Sequence, residues 1–309
     1  MIGTIAGLHH VTMMASGAVA NDRFYRETLG LRRVKKTVNF DQPDVYHLYF
    51  GDALGRAGTV MTSFPFGNVR RGVIGTGETE LVVFSVPPGS LDAWSERLRA
   101  EGTPVIGTVE AFGVERLMFE GPDGEMLAVE AATDAREPYV GAGLDPGQAI
   151  RGFRSVALRV RDAAPMRELL ELMGYRSQGT EQETERLAIE GGNGAHLIDL
   201  HEVPDGASAK PGAGSIHHIA FSVPDDAAHV EARRILADAG YAVTPVIDRD
   251  YFNAIYFRTP GGILFEIATD TPGFTRDEDA ARLGEGLRIP ERHEHLRDHL
   301  ERTLEPLDG

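Results

Sequence analysis

The feature that most constrains this chain is a fourfold internal repeat of about 60 residues, each copy reading strand, helix and three further strands. In the first copy, Gly7 to Phe66, apolar β-branched content predicts a strand over Leu8 to Ala15. A helix follows over Ala18 to Leu29, with Phe24, Tyr25 and Leu29 to bury and Gly30 as its stop. Arg32 to Val38, Val45 to Gly51 and Gly58 to Phe64 are its remaining strands. The second copy reads as strand Glu80 to Val86, helix Ser90 to Ala100, and strands Thr103 to Val109, Val114 to Glu120 and Gly124 to Ala131. The third reads as strand Phe153 to Val160, helix Ala164 to Met173, then strands near Arg176 to Gln178, Arg186 to Glu190 and Ala195 to Glu202. The fourth reads as strand Ile216 to Val223, helix Ala227 to Ala239, then Thr244 to Asp248, Ala254 to Arg258 and Ile263 to Ala268. Paired modules of this kind make curved, half-open barrels. The fold class is therefore α+β, with four βαβββ modules in two domains. The proline- and glycine-bearing stretch Thr133 to Gly152 divides residues 1–137 from 150–272, and a charged helical tail covers 273–309.

Two tandem histidine pairs lie in the predicted strands, His9-His10 in module one and His217-His218 in module four. Glu266 stands inside the apolar strand Gly261-Gly-Ile-Leu-Phe-Glu266-Ile-Ala. A carboxylate or imidazole buried in an apolar strand is costly without a partner. Two histidines and one carboxylate meeting at one metal ion would answer all three costs together. On a regular strand neighbouring residues point to opposite faces, so only one histidine of each pair reaches the ion from such a strand. Strand geometry alone does not choose which. An ordinary core histidine is the competing reading for each.

Composition removes several alternatives. The chain has no cysteine, so disulfides, thiolate metal sites and a cysteine nucleophile are excluded, and a reducing cytoplasm is the expected compartment. A net charge of −16 argues against nucleic acid and anionic membrane surfaces as partners. No apolar stretch approaches membrane-spanning length. The glycine-rich, basic stretch Phe66 to Gly77 lacks the strand-loop-helix context of a phosphate cradle and reads as a linker. His295 and His299 sit among Arg, Glu and Asp, so they read as a solvated helix face. His47 reads as structural.

The motifs Leu8-His9-His10-Val-Thr12, Leu31-Arg-Arg-Val-Lys-Lys-Thr37, Tyr46-His-Leu-Tyr-Phe-Gly-Asp52, Ser215-Ile-His217-His218-Ile-Ala and Gly261-to-Asp270 span nearly the whole chain. Together they resemble the vicinal oxygen chelate superfamily of glyoxalases, bleomycin resistance proteins and extradiol dioxygenases. Within it the chain is most similar to the hydroquinone and chlorohydroquinone ring-cleaving branch. That resemblance implies His10, His218 and Glu266 as metal ligands, with His9 and His217 as supporting groups and Thr12, Arg249 and Tyr256 as pocket residues. A face of two histidines and one carboxylate leaves open positions and suits Fe(II), with Mn(II) also accommodated. Arg249 would stabilise anionic oxygen; its competing role is a surface ion pair with Asp248 and Asp250. Tyr256 would hydrogen-bond a substrate oxygen, or else serve as a core aromatic.

The expected activity is Fe(II)-dependent cleavage of a hydroquinone-like or catechol-like ring by O2, with His217, His9 or Tyr256 moving protons. A glyoxalase-type isomerase or lyase is the alternative, although such sites use more carboxylates. A non-catalytic small-molecule binding protein on the same fold is a third reading. An assembly of identical chains is compatible with the sequence. Modules two and three lack the histidines, so one metal per chain is expected, with Glu130 matched to Glu266.

Overall fold

The structure is a computed structural model that describes residues 1–307. Module one comprises β1 (Leu8–Ala15), α1 (Ala18–Arg23), β2 (Arg32–Val38), β3 (Tyr46–Gly51) and β4 (Val60–Pro65). Module two comprises β5 (Glu78–Val86), α2 (Leu91–Ala100), β6 (Val105–Ala111), β7 (Val114–Glu120) and β8 (Met126–Ala131). Module three comprises β9 (Gly152–Val160), α3 (Ala164–Leu172), β10 (Arg176–Glu181), β11 (Thr184–Ala188) and β12 (Leu197–Glu202). Module four comprises β13 (Ile216–Val223), α4 (Asp226–Asp238), β14 (Ile247–Asp248), β15 (Phe252–Arg258) and β16 (Leu264–Pro272).

These strands form two curved eight-stranded sheets. One has the order β14-β15-β16-β13-β1-β4-β3-β2, the other β10-β11-β12-β9-β5-β8-β7-β6. In each module the helix carries the chain over the sheet, so that first and last strands pair in parallel, as β1 with β4 and β13 with β16. The seams are antiparallel: β1 on β13 and β5 on β9. Module one thus shares a sheet with module four, and module two with module three. The sheets cut across the chain-order division near residues 137–150. The linkers between modules run beside each other, bridging Arg71 to Ala213, Val73 to Lys210 and Thr76 to Ser208.

One apolar cluster joins the helix-covered sides of both sheets. It includes Val11 and Met13 of β1, Phe84 of β5, Phe153 of β9, Phe221 of β13, and Trp94, Leu169 and Leu236 from the helices. The predicted first helix is α-helical only to Arg23. Phe24–Thr28 continue as a π-helical turn, where the Leu29 N–H donates to the Phe24 carbonyl at 3.0 Å, and Phe24, Tyr25 and Thr28 are buried. The strand predicted over Thr244 to Asp248 keeps only Ile247 and Asp248, because Pro245 has no N–H for the ladder. There the Thr244 side chain substitutes: its Oγ1 accepts from the Tyr256 N–H at 3.0 Å.

The tail folds back on module one as short 3-10 turns and α5 (Arg297–Thr303), burying Phe274, Leu283 and Leu300. Its anchor is the fully buried Lys35, whose ammonium meets the Phe274 carbonyl at 3.1 Å, Asp277 at 2.6 Å, and Glu278. His299 pairs with Asp44 at 3.3 Å on the surface. No helix is long and apolar enough to cross a membrane.

Candidate metal centre

The seam between β1 and β13 carries an irregularity that the regular-strand argument did not anticipate. The pairs Leu8–Phe221 and His10–Ala220 leave His9 as an extra residue on β1; the pairs Thr12–His218 and Met13–Ile216 leave His217 as an extra residue on β13. Each tandem pair is therefore a β-bulge, which bends the strand and re-aims side chains. As a result the two rings of each pair meet: His9 Nδ1 lies 2.9 Å from His10 Nδ1, and His217 Nδ1 lies 2.7 Å from His218 Nδ1.

The remaining nitrogens of His10 and His218 point inward to Glu266. His10 Nε2 is 3.2 Å from His218 Nε2 and 3.4 Å from Glu266 Oε2; His218 Nε2 is 3.0 Å from that oxygen. All three side chains are buried, and they are the one group of three such ligands among the described residues able to share an ion. Neither Glu266 oxygen receives an aligned hydrogen bond. A fully buried carboxylate without donors, facing two imidazole nitrogens, fits a divalent cation. The His9 ring, packed 5.2 Å from Phe252, is pushed down to about 3 by burial and by its neighbour His10, with Glu266 and a hydrogen bond to Thr269 opposing. It stays neutral, and its contact with the Thr269 backbone leaves Nδ1 to accept from His10 Nδ1–H. That arrangement turns the His10 Nε2 lone pair toward Glu266.

The triad opens onto a cavity of about 400 Å³. Phe40, Phe64, Phe66, Phe252 and Leu264 form apolar walls, while Asn39, Asp41, Gln42, Arg249 and Tyr256 supply polar groups. Larger grooves elsewhere, such as the one of about 820 Å³ bounded by Arg71, Glu120 and Glu305, contain no comparable cluster of ligands. Arg249 is not paired with Asp248 or Asp250. Its Nε donates to Tyr256 Oη at 3.2 Å and its Nη1 lies 3.3 Å from Asp41 Oδ2. Burial pushes the Tyr256 hydroxyl pKa up, as does Glu266, with Arg249 opposing. Tyr256 thus remains a protonated hydroxyl beside the triad.

His217 is exposed on the cavity wall, whereas His9 lies behind the triad, its Nε2 4.0 Å from Asp270. Thr12 does not line the cavity; it is fully buried against His218 Nε2 at 2.8 Å. His47, read from sequence as structural, does line the cavity and bonds Thr62 at 3.0 Å. The sequence signal for it was its place in Tyr46-His-Leu-Tyr49, a strand whose every residue is buried.

The second sheet repeats the geometry with different chemistry. Its bulge residues are Glu80 on β5 and Arg154 on β9. Counting from those bulges, the positions of His10 and His218 hold Leu81 and Ser155. The counterpart of Glu266 is Asp199, paired with Ala157 as Glu266 is with Ala220. The match of Glu130 to Glu266 is therefore corrected. Glu130 lies two residues further from Pro122 than Glu266 does from Pro260, and pairs with Ser85. Arg116 bonds Glu130 at 2.6 Å and Asp199 at 3.0 Å, Arg186 bonds Asp199 at 2.7 and 2.9 Å, and Arg154 bonds Glu130 at 3.0 Å. Guanidinium groups fill this cup where the first sheet has imidazoles and an open cavity.

The chain matches the family model described as Glyoxalase/Bleomycin resistance protein/Dioxygenase superfamily over residues 7–129 and 152–267. It is 41% identical to Bacillus subtilis MhqO, provisionally named a ring-cleaving dioxygenase, over 98% of this chain and 96% of that one. It is 35% identical to the chlorohydroquinone/hydroquinone 1,2-dioxygenase of Sphingobium indicum, over 97% and 96% of the two chains. The crystal structure of a provisionally named dioxygenase from Bacillus subtilis superposes with a TM-score of 0.95 at 39% identity, over 99% of this chain and 98% of that one. By that match over most of its length and by the identity to these relatives, the chain belongs to the Glyoxalase/Bleomycin resistance protein/Dioxygenase superfamily.

Proposed function

We propose that this protein is a metal-dependent ring-cleaving dioxygenase acting on a hydroquinone-like or catechol-like aromatic, with Fe(II) as its ion and Mn(II) as the other ion its donors suit. The observation that carries this reading is the buried His10–His218–Glu266 cluster at the end of an aromatic-walled cavity of about 400 Å³. The names of its relatives support the same chemistry. An ion held there would supply Lewis acidity and a path for electrons to O2. The chain's own residues do the rest. Phe40, Phe64 and Phe252 pack a planar ring, and Arg249 stabilises a phenolate oxygen. Tyr256 donates a hydrogen bond to it, and His217, kept neutral on the cavity wall by desolvation and by His218, which push its pKa down to about 3, offers a second donor there. A cytoplasmic setting accords with the absence of cysteine.

The test is O2 uptake against a panel of catechols and hydroquinones. Metal-free protein is expected to be inactive, and Fe(II) to restore uptake of one O2 per ring consumed. Turnover without metal would sink the proposal. Substrate isomerised without O2 would favour a glyoxalase-type reaction, and binding without either change would favour a binding protein.

Arg249→Gln is expected to raise KM about tenfold or more, since a hydrogen bond to a charged group contributes about 1.5–3 kcal/mol. The fall in kcat should be smaller. Steady-state kinetics at fixed O2 measure this; an unchanged KM would remove Arg249 from the substrate site.

A further inference from the structure

A row of hydroxyl and imidazole groups crosses four adjacent strands on the cavity side of the first sheet. Tyr49 on β3 pairs in register with Thr62 on β4, Thr62 with Thr12 on β1, and Thr12 with His218 on β13. His47 completes the row. Tyr49 Oη lies 2.9 Å from His47 Nδ1, His47 Nε2 lies 3.0 Å from Thr62 Oγ1, Thr62 Oγ1 lies 2.9 Å from Thr12 Oγ1, and Thr12 Oγ1 lies 2.8 Å from His218 Nε2. All five side chains are buried.

We propose that this chain of hydrogen bonds runs in one direction, from Tyr49 to His218, and holds His218 in the tautomer whose Nε2 lone pair faces the metal position. This rests on the reading of the triad as a metal site. The direction follows from counting donors. The Tyr49 hydroxyl has one hydrogen-bond partner among the described residues, His47 Nδ1. Were His47 to donate to Tyr49, the phenol proton would be buried without an acceptor. Tyr49 therefore donates, and burial, which raises its pKa well above 10.0, keeps that proton in place. A neutral His47 accepting at Nδ1 carries its proton on Nε2 and donates to Thr62. Burial, followed by the nearby His10 and His218, holds the His47 pKa well below 6.5, so the neutral form is the one present. Thr62, having accepted, donates to Thr12, and Thr12 donates to His218 Nε2. His218 then carries its own proton on Nδ1, which faces His217 Nδ1 at 2.7 Å.

Tyr49, His47 and Thr62 are thus positioning residues. None of the three supplies an atom to the triad, although His47 and Tyr49 also line the cavity, yet each transmits the tautomer on which ligation depends.

The test uses full-length, metal-free protein labelled with 15N-histidine. Long-range proton–nitrogen spectra, assigned by single substitutions, report each tautomer without reference to turnover. In the parent chain His47 is expected as the Nε2–H form and His218 as the Nδ1–H form. Tyr49→Phe should place a measurable share of His47 in the other form. Both Tyr49→Phe and Thr62→Val should do so for His218, and weaken Co(II) binding by titration in proportion to the share of His218 moved out of the form that ligates. Thr62→Ser keeps the hydroxyl and should restore both readouts, separating the hydrogen bond from packing. Finding His47 as Nδ1–H in the parent, or unchanged tautomers and Co(II) affinity in both variants, would overturn the proposal. Failure of ring cleavage alone would leave it standing and count against the proposed function instead.

Discussion

Glu266→Gln is expected to lower Fe(II) affinity by more than about 100-fold, since even groups supporting a ligand are worth 10–100-fold. O2 uptake should fall with it. The stability of the metal-free chain should not fall. Glu266 is a buried carboxylate with no aligned donor, so replacing it with a neutral amide of the same shape removes a desolvation cost. The metal-linked part of stability should disappear instead. Saturating ion at about 100 times Kd adds about 2.7 kcal/mol to a protein that binds it only when folded. Addition of Fe(II) should therefore raise the urea midpoint of the parent and leave that of Glu266→Gln unmoved. His10→Ala, from the opposite end of the chain, should behave alike toward metal. Iron content and anaerobic urea titration check both variants, and a variant that keeps stoichiometric iron would remove its residue from the ligand set.

The second large effect belongs to the sheet without histidines. Asp199→Ala is expected to cost about 3–5 kcal/mol, the range for removing one partner of a buried ion pair. Asp199 accepts two hydrogen bonds from Arg186 and one from Arg116, and both guanidinium groups are nearly inaccessible to water. Without it Arg186 loses its carboxylate, and Arg116 must share Glu130 with Arg154. Asp199→Asn keeps part of the hydrogen bonding and should fall between. Urea unfolding measures the loss. Since the two cups are separate, iron binding to the folded variant should match the parent. A cost below about 1 kcal/mol would mean that the pairs contribute little beyond filling space.

The repeat made the fold legible. Four βαβββ units, each opening on an apolar strand, place the histidine pairs in Leu8 to Ala15 and Ile216 to Val223. The bulges were not legible, because His9 and His217 become extra residues only through the register of β1 on β13, a contact between distant parts of the chain. The same cause hid the true counterpart of Glu266: Glu130 matches by motif, and Asp199 matches by ladder. The place of His47 is not legible in its own strand, because it depends on Thr62 standing beside it on β4 as well as on Tyr49 two residues along. The shortened β14 could have been foreseen, since Pro245 is visible in the sequence.

The pairing of modules one with four and two with three has a consequence for the order of events during synthesis. The inner pair is contiguous in sequence, and its sheet has all its strands once Glu202 has been made. The outer pair must wait until Pro272, with β1 holding an open seam edge meanwhile. His10 and His218 lie 208 residues apart, so an ion held by both would find its second histidine only after every strand of the inner pair has been synthesised.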